Sequence, residues 1–282
     1  MCRWIAYTGE PIFLDRLVTK PAHSLVEQSI NANLQFKEDG SLWTTNGDGF
    51  GIGWYANKPE PGLFKDAMPA WNDQNLHELC AQTKANLFFA HVRASTQGGV
   101  QRNNSHPFKY KNWLFQHNGD VEGFSKLKRT LQNEVAEELY PMIRGNTDSE
   151  TSFYLALTYG LQENPKTALE KMIGRLIRAQ EEAGMKKDLS FSASITDGNN
   201  LYTIRYFTPG ATVRTQFFTK DMARVVDVGG TSKESEWPSK GVVVVSEPLD
   251  RLSDYWTPVP ESSFMTIRNG EIKIEDFAPL AV

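Results

Sequence analysis

Cys2 can carry two reactive groups, provided that the preceding Met1 is removed. Methionine is generally trimmed before a small residue, which would leave a thiol and a free α-amine on the same residue. An α-amine has a pKa of roughly 7.7 to 8.0, so near neutral pH it can accept the thiol proton and later return it to a leaving group. Cys2 is therefore a candidate nucleophile with its own general base, although a cysteine at position two can also be incidental.

Arg93 and Thr96 lie in the motif HVRASTQGG (91–99), at the end of an apolar run. The planar guanidinium of arginine suits a carboxylate held by two hydrogen bonds, and the Thr96 hydroxyl can add another. A solvated arginine at a strand end is the alternative. The motif predicts a carboxylate site if this strand end opens into a cleft.

Asn118 and Gly119 belong to the motif QHNGD (116–120), which also ends an apolar run. Asn-Gly after a strand is ordinarily a hairpin turn. In the functional interpretation, the Asn118 side-chain amide and the Gly119 N–H point at one oxygen atom and supply the two donors that an oxyanion hole needs. Both interpretations stay open at this point.

Asp148 lies at the start of a predicted helix, where an acidic side chain commonly caps the helix or complements its dipole. Thr147 and Glu150 have the spacing of a capping box, in which each side chain accepts a backbone hydrogen bond from the other residue. Because Thr147 can cap the helix, Asp148 is free to point elsewhere. A substrate ammonium group is one candidate partner.

These candidate residues need strands that end close together and helices that cover the sheets. Two helices are predicted, over 147–161 and over 165–183, the second between Pro165 and Gly184. Strand-like runs occupy 2–9, 49–56, 85–95, 112–118, SFSASIT after residue 188, LYTIRYF, VVVVS (242–246) and a hairpin around Asn269-Gly270. Strands that flank helices in this way predict a layered α+β fold, and without a Gly/Ser linker we expect a single domain over 1–282.

Composition points to small-molecule chemistry. The net charge of −4 in 282 residues favours neither nucleic acid nor a membrane as a partner. No apolar run approaches the roughly 18 residues of a membrane span, and the start MCRWIAYTGEP lacks the apolar part of a signal peptide, so we expect a cytoplasmic protein. Two cysteines and five scattered histidines predict neither disulfides nor a metal site, and we expect no cofactor. Cys80 is predicted to be a buried apolar residue.

Taken in order, the motifs resemble those of the class II glutamine amidotransferases, members of the N-terminal-nucleophile hydrolase superfamily. The motifs are the cysteine at position 2, NGDGFGIGWY, HVRAST, NNSHPF, HNG and TDSE. They lie within 2–150, and VVVVSEP with the late hairpin looks like the remainder of the same catalytic domain. The resemblance implies a four-layer αββα sandwich of two mainly antiparallel sheets. Within the family, the chain looks most like short members related to γ-glutamyl hydrolases of ergothioneine synthesis and glutathione turnover.

The resemblance also implies a role for each candidate residue. Cys2 is the expected nucleophile, and Asn118 with Gly119 is the expected oxyanion hole. Arg93 and Thr96 are expected to hold the α-carboxylate of glutamine, and Asp148 its α-ammonium. Three further residues are possible pocket residues, with a structural hydrogen-bonding role as the alternative for the histidine: Asp48, Gly49 and His106.

One departure from the family pattern bears on the substrate. The arginine of the large synthases is usually followed by Trp, whereas Ala94 follows Arg93 here. A more open pocket would admit larger γ-glutamyl compounds, so hydrolysis of a γ-glutamyl peptide or conjugate remains an alternative to glutamine hydrolysis. A non-catalytic amino-acid-binding module that acts through a partner is a second alternative. We expect no appended synthase domain, in which case any productive use of ammonia would need a separate acceptor enzyme.

Overall fold

The computed structural model describes residues 2–34, 45–96, 98–220, 241–250 and 255–282. Two sheets with antiparallel pairings form its centre. In chain order the strands are β1 (Arg3–Phe13), β2 (Phe50–Tyr55), β3 (Gly62–Asp66), β4 (Lys84–Val92), β5 (Phe108–Tyr110), β6 (Trp113–Val121), β7 (Leu189–Thr196), β8 (Leu201–Phe207), β9 (Phe217–Thr219), β10 (Gly241–Val245), β11 (Thr257–Pro258), β12 (Ser263–Arg268) and β13 (Glu271–Asp276). The first sheet has the order β11-β9-β10-β1-β4-β2-β3, and the second β13-β12-β8-β7-β6-β5.

Helices cover the outer face of each sheet. They are α1 (Asp15–Val18), α2 (Leu25–Ile30), α3 (Gln74–Gln82), α4 (Phe124–Asn133), α5 (Asp148–Thr158) and α6 (Pro165–Glu182), and single 3₁₀ turns occupy Ala70–Asn72, Arg102–Asn104 and Tyr140–Met142. Apolar side chains of α1, α2 and α3 share a core with the first sheet, and those of α4, α5 and α6 share a core with the second.

The alternation of side chains along β1 shows how the layers are held together. Ile5 and Tyr7 lie in the core under α1 to α3, whereas Trp4 and Ala6 lie in a third core with side chains of the second sheet such as Leu114. A strand with apolar residues on both faces is buried on both faces. The chain is therefore an αββα sandwich, and the predicted α+β class and four-layer arrangement are confirmed.

The element predictions hold with small changes in their bounds. The helices predicted over 147–161 and 165–183 are α5 and α6, and the Asn164 side chain caps α6 by accepting a hydrogen bond from the Thr167 N–H. The strand predicted over 85–95 ends at Val92, so Arg93 begins the following loop. Cys80 is fully buried in α3, as predicted.

The predicted capping box forms only in part. Thr147 Oγ1 accepts the Glu150 N–H at 3.2 Å. The Glu150 carboxylate, however, accepts the N–H groups of Arg144 and Gly145 at 2.9 and 2.6 Å and thereby holds the loop before α5. Each of these loop donors needs an acceptor, so the acid serves the loop rather than the helix cap. Among the described helices, none combines the length and apolar character needed to cross a bilayer.

Candidate active site

Cys2 precedes β1, the central strand of the first sheet. Arg3, the first residue of β1, pairs with Val92, the last residue of β4. Cys2 therefore lies next to the residues that follow β4. Cys2 is partly exposed, and its Sγ lies 3.7 Å from the carbonyl oxygen of Ala94. Ala94 itself is 4% exposed, and its carbonyl oxygen faces the thiol.

Contacts between the sheets bring Asn118 and Gly119 toward the end of β1 that carries Cys2. Gln116 Nε2 donates to the Ile5 carbonyl at 2.9 Å. One residue further along β6, the His117 carbonyl oxygen lies 3.2 Å from Nε2 of His91, the β4 partner of Trp4. Moving one residue along β6 therefore corresponds to moving one residue along β1 toward Cys2. Asn118 and Gly119 are the next two residues of β6 in this direction.

The two expected oxyanion donors, the Asn118 side-chain amide and the Gly119 N–H, lie in different surroundings. Asn118 is 2% exposed, and no described residue accepts a hydrogen bond from its Nδ2. Backbone N–H groups alternate in direction along a strand, so the N–H groups of Gly119 and Val121 point to the same side of β6. Val121 donates to Asp148 Oδ2 rather than to β7, so this edge faces away from β7. The sequence alternative of a hairpin turn at Asn118-Gly119 is wrong, since both lie within β6.

The guanidinium of Arg93 is buried and organises the loop that follows β4. Nη1 donates to the Gly99 carbonyl at 3.2 Å, and Nη2 donates to the Gly98 carbonyl at 2.8 Å and to Ser95 Oγ at 3.0 Å. The alternative of a solvated arginine at a strand end is therefore wrong. Thr96 lies in the same loop, and its hydroxyl makes a long hydrogen bond of 3.4 Å to Asp120 Oδ1.

Asp48 and Gly49 fix the position of this loop. The Asp48 N–H donates to the Arg93 carbonyl at 2.9 Å, and the Arg93 N–H donates to the Gly49 carbonyl at 2.8 Å. Asp48 Oδ2 also accepts the Ser95 N–H at 2.7 Å. Gly49 has a φ of +118°, and an added Cβ would come within 2.5 Å of Ser105 Oγ, so another residue here would be strained.

Asp148 is 7% exposed and is largely occupied by backbone donors. Its Oδ2 accepts the Val121 N–H at 3.0 Å, and its Oδ1 accepts the N–H and hydroxyl of Ser149 at 2.7 and 3.1 Å. These contacts tie the start of α5 to the end of β6. A carboxylate offers about four lone-pair positions, so one acceptor position remains for a further donor.

A cavity of about 600 Å³ opens beside these strand ends. Its described lining is Thr96, Gly98, Asp120, Glu122, Gly123, Phe124, Ser125, Lys128 and Asn146. Asp120 is a wall residue that the sequence reasoning missed, although it is the last residue of the QHNGD motif. Thr96 is the one expected site residue in that lining. The lining does not include Cys2, Asn118, Gly119, Arg93 or Asp148, although Arg93 donates to the carbonyl of the lining residue Gly98.

Three histidines form a buried cluster next to the site. The rings of His91 and His106 stack with centroids 4.2 Å apart. The Nδ1 atom of His117 lies 2.9 Å from Ser149 Oγ. Burial lowers the pKa of His91 to about 3 and that of His117 to about 4, so both are neutral near pH 7. Within the described residues, His106 has no side-chain hydrogen bond, so it contributes ring packing rather than the hydrogen bond named as an alternative. No described group of His, Cys, Asp or Glu is arranged to hold a metal ion.

Glu247 anchors the segment that carries Cys2, a role that the sequence analysis did not assign to this residue of the VVVVSEP run. Its carboxylate pairs with Arg3 Nε at 2.6 Å and with His23 Nε2 at 2.6 Å, and it accepts the N–H groups of Asn33 and Leu34. Arg3 Nη1 in turn donates to the Cys2 carbonyl at 3.0 Å. Burial alone would raise the pKa of Glu247, but these partners outweigh burial and lower the pKa to about 2.

Substitution of Glu247 by Gln is expected to destabilise the protein by about 3–5 kcal/mol, because it leaves the buried Arg3 without its anion. The carboxylate contribution is fully present above pH 4.5 and is lost as the pH falls toward about 2. Urea unfolding of the wild-type and Glu247→Gln proteins at several pH values should therefore show a difference in the free energy of unfolding that becomes smaller in acid. Glu275→Gln, which removes an exposed pair with Lys273, is the control and should cost less than about 1 kcal/mol. Equal losses for the two variants would contradict the anchoring role.

The sandwich, with a cysteine at the head of its central strand, defines the fold class of the N-terminal-nucleophile hydrolases. A glutamine aminotransferase class-II domain protein from Silicibacter pomeroyi has this fold with a TM-score of 0.72 and 32% identity, over 99% of this chain and all of that chain. An allosteric regulatory enzyme of purine biosynthesis shares the fold alone, at 16% identity and a TM-score of 0.63, over 99% of this chain and 50% of that one.

The sequence comparisons identify the family. Residues 22–279 match the family described as class-II glutamine amidotransferases. The probable glutamine amidotransferase DUG3 of Saccharomyces cerevisiae is 35% identical over an alignment of 300 positions, which covers 96% of this chain and 83% of the yeast protein. The gamma-glutamyl-hercynylcysteine sulfoxide hydrolase of Mycolicibacterium smegmatis is 30% identical over 123 residues, which are 43% of this chain and 52% of that protein. The chain belongs to the class-II glutamine amidotransferases, a family of enzymes that act on small-molecule substrates.

Proposed function

We propose that the protein hydrolyses the γ-amide of glutamine, with Cys2 as the nucleophile once Met1 is absent, and releases glutamate and ammonia. The observation that carries this proposal is the buried Asn118 amide, whose Nδ2 has no acceptor among the described residues. A buried polar donor without a partner is costly, and such groups cluster at functional sites. An oxyanion that forms next to Cys2 would supply the acceptor.

Acylation requires a proton to move from sulfur to nitrogen. The α-amine of Cys2 accepts the thiol proton, and the sulfur attacks the γ-carbonyl carbon. The tetrahedral oxyanion is held by Asn118 Nδ2 and the Gly119 N–H. The carbon–nitrogen bond then breaks, the α-ammonium protonates the departing amine, and a γ-glutamyl thioester remains.

Hydrolysis of the thioester reverses these roles. Water loses a proton to the α-amine and attacks the same carbonyl carbon, whose oxygen again meets Asn118 and Gly119. The carbon–sulfur bond breaks, glutamate leaves, and the sulfur regains a proton from the α-ammonium. No base other than the α-amine is needed, which agrees with the neutral and buried state of His91 and His117.

The amino-acid head of the substrate would occupy the cavity beside Thr96. Arg93 and Thr96 would hold the α-carboxylate, for which the carbonyls of Gly98 and Gly99 must release part of the guanidinium. Asp148 would accept a hydrogen bond from the α-ammonium at its remaining acceptor position, and Asp120 in the cavity wall adds negative charge for the same group. Asp48 and Gly49 keep this loop in place, and His106 packs next to it.

A second candidate is the hydrolysis of a γ-glutamyl peptide or conjugate by the same steps. The relative from Mycolicibacterium smegmatis carries a γ-glutamyl conjugate hydrolase name, which favours this candidate. Under either candidate we propose a single catalytic domain over 1–282, which is supported by the ion pair between Arg3, next to Cys2, and Glu247 late in the sequence. A separate enzyme is a candidate acceptor for the ammonia released from glutamine.

The test is glutamate release by the purified protein, after intact mass has shown that Met1 is absent. Glutamine, γ-glutamyl dipeptides and γ-glutamyl conjugates are compared by kcat/KM. We expect glutamate from at least one of these compounds, and the preferred one separates the two candidates. A protein with a free Cys2 amine that binds these compounds but cleaves none would instead support a binding module.

A further inference from the structure

Asn104, a fully buried residue of the NNSHPF motif, joins two loops that line the cavity. Its side-chain nitrogen Nδ2 donates to the carbonyls of Gly98 and Gly99, each at 2.9 Å, and to Asn146 Oδ1 at 2.8 Å. Its Oδ1 accepts the Asn146 N–H at 3.0 Å, which assigns the donor end of the amide to the glycine carbonyls. Asn104 takes no part in the catalytic steps proposed above.

Asn104 and Arg93 share two acceptors. Arg93 Nη2 donates to the Gly98 carbonyl at 2.8 Å, and Nη1 donates to the Gly99 carbonyl at 3.2 Å. A carbonyl oxygen has two lone pairs, so each of these oxygens can accept from both side chains at once. If the guanidinium turns away, each carbonyl keeps its bond to Asn104, and neither becomes a buried acceptor without a donor.

This sharing lowers the free energy that is needed to release the guanidinium from the loop. A buried carbonyl that loses its only donor is unfavourable. Because Asn104 already donates to both carbonyls, Arg93 can exchange them for a stronger, charge-assisted pair with a carboxylate. Gly98 lies in the cavity wall, so a ligand in the cavity can reach the guanidinium where the exchange takes place.

We propose that Asn104 is a positioning residue for the α-carboxylate of the substrate. It holds the carbonyls of Gly98 and Gly99 when Arg93 leaves them, so that the guanidinium passes to the carboxylate while the loop keeps its hydrogen bonds. This proposal rests on the proposed function, because it concerns the same amino-acid head pocket. The effect of Asn104 is therefore confined to ligands that carry an α-carboxylate.

Glutamine and its α-amide, glutaminamide, differ in the charge of this group and provide the test. Asn104→Ala should lower kcat/KM for glutamine by about 5- to 100-fold, since Arg93 must then leave two carbonyls without a donor among the described residues. The loss should appear in KM with kcat close to wild type, because the carboxylate is held equally in the ground state and the transition state. Glutaminamide does not draw Arg93 from the loop, so its kcat/KM should stay close to wild type.

Two further variants sharpen this test. Asn104→Asp keeps an acceptor for the Asn146 N–H but removes the donors, and its charge holds Arg93 back, so it should lose at least as much on glutamine. Asn103→Ala is the matched control, because Asn103 Nδ2 ties the neighbouring loop through the Arg144 carbonyl at 3.3 Å. It should keep the wild-type ratio of the two kcat/KM values.

A purely structural role of Asn104 predicts a different result. Asn104→Ala would then have a lower free energy of unfolding and would lose the same factor on glutamine and on glutaminamide. That equal loss overturns the proposal, and so does an Asn104→Ala protein with the wild-type KM for glutamine.

Binding measurements separate this proposal from the proposed function. In calorimetric titrations, Cys2→Ala protein should bind glutamine more tightly than glutaminamide, and the preference should shrink in the Cys2→Ala, Asn104→Ala double variant. If the native protein releases no glutamate but this change is found, hydrolysis fails and the role of Asn104 stands. If the native protein hydrolyses glutamine but the double variant keeps the full preference, hydrolysis stands and the role of Asn104 fails. The absence of any preference in Cys2→Ala protein also overturns that role.

Discussion

Replacement of Cys2 by alanine is expected to lower kcat for γ-glutamyl amide hydrolysis by about 10⁴-fold or more, since removal of a covalent nucleophile generally has effects of that size. The small side chain still permits removal of Met1, so the α-amine remains and only the thiol is lost. Glutamate release from the preferred compound, measured with unfolding curves of both proteins, checks the result. A variant that is folded and keeps a tenth of the wild-type kcat would exclude Cys2 as the nucleophile.

The second cysteine provides the matched control. Cys80 is fully buried in α3, and burial raises the pKa of its thiol to about 12, so it is protonated and inaccessible. Cys80→Ala should keep the wild-type kcat with a small loss of stability. Iodoacetamide should correspondingly alkylate Cys2 and leave Cys80 unmodified in the folded protein, as judged by peptide mass.

The sequence predicts those residues of the candidate site that lie at strand ends and helix starts. Arg93 and Asn118 each come at or near the end of an apolar strand, and the cap at Thr147 places Asp148 at a helix start. Strand ends and helix caps are encoded by neighbouring residues, so their motifs can be read from one segment. The structure adds that these segments meet, through the contacts of Gln116 and His91 across the two sheets.

The rest of the site depends on contacts between residues far apart in the sequence. Arg3 and Glu247 are 244 positions apart, and nothing near either residue indicates the other. Polar residues in irregular segments have many possible partners, and tertiary packing alone selects among them.

The short elements of the fold could not be predicted from the sequence for a related reason. α1 has four residues and α2 has six, and β9 has three. Isolated helices of that length are marginal in water, so packing on a sheet rather than intrinsic propensity stabilises them. The long periodic helix α6 was readable, because its apolar stripe and its Asn164 cap agree with each other.

Asn118→Ala is expected to reduce kcat by about 100- to 1000-fold while the protein remains folded, because loss of one oxyanion donor has effects of this size. Asn118 Nδ2 bonds to no described residue, so its removal breaks no described hydrogen bond of that group. KM should change little, since the donor acts on charge that develops only in the transition state. Steady-state kinetics at saturating substrate measure the loss directly.

A second asparagine near the same strand is the control for this experiment. Asn112 Nδ2 donates to the Asp197 carbonyl at 2.7 Å and therefore has a structural partner that Asn118 lacks among the described residues. Asn112→Ala should lower the free energy of unfolding and leave kcat close to wild type, the reverse of what Asn118→Ala should do. If Asn118→Ala instead loses stability and keeps its kcat, the unpaired amide is a packing feature and the oxyanion must be stabilised by Gly119 with another donor.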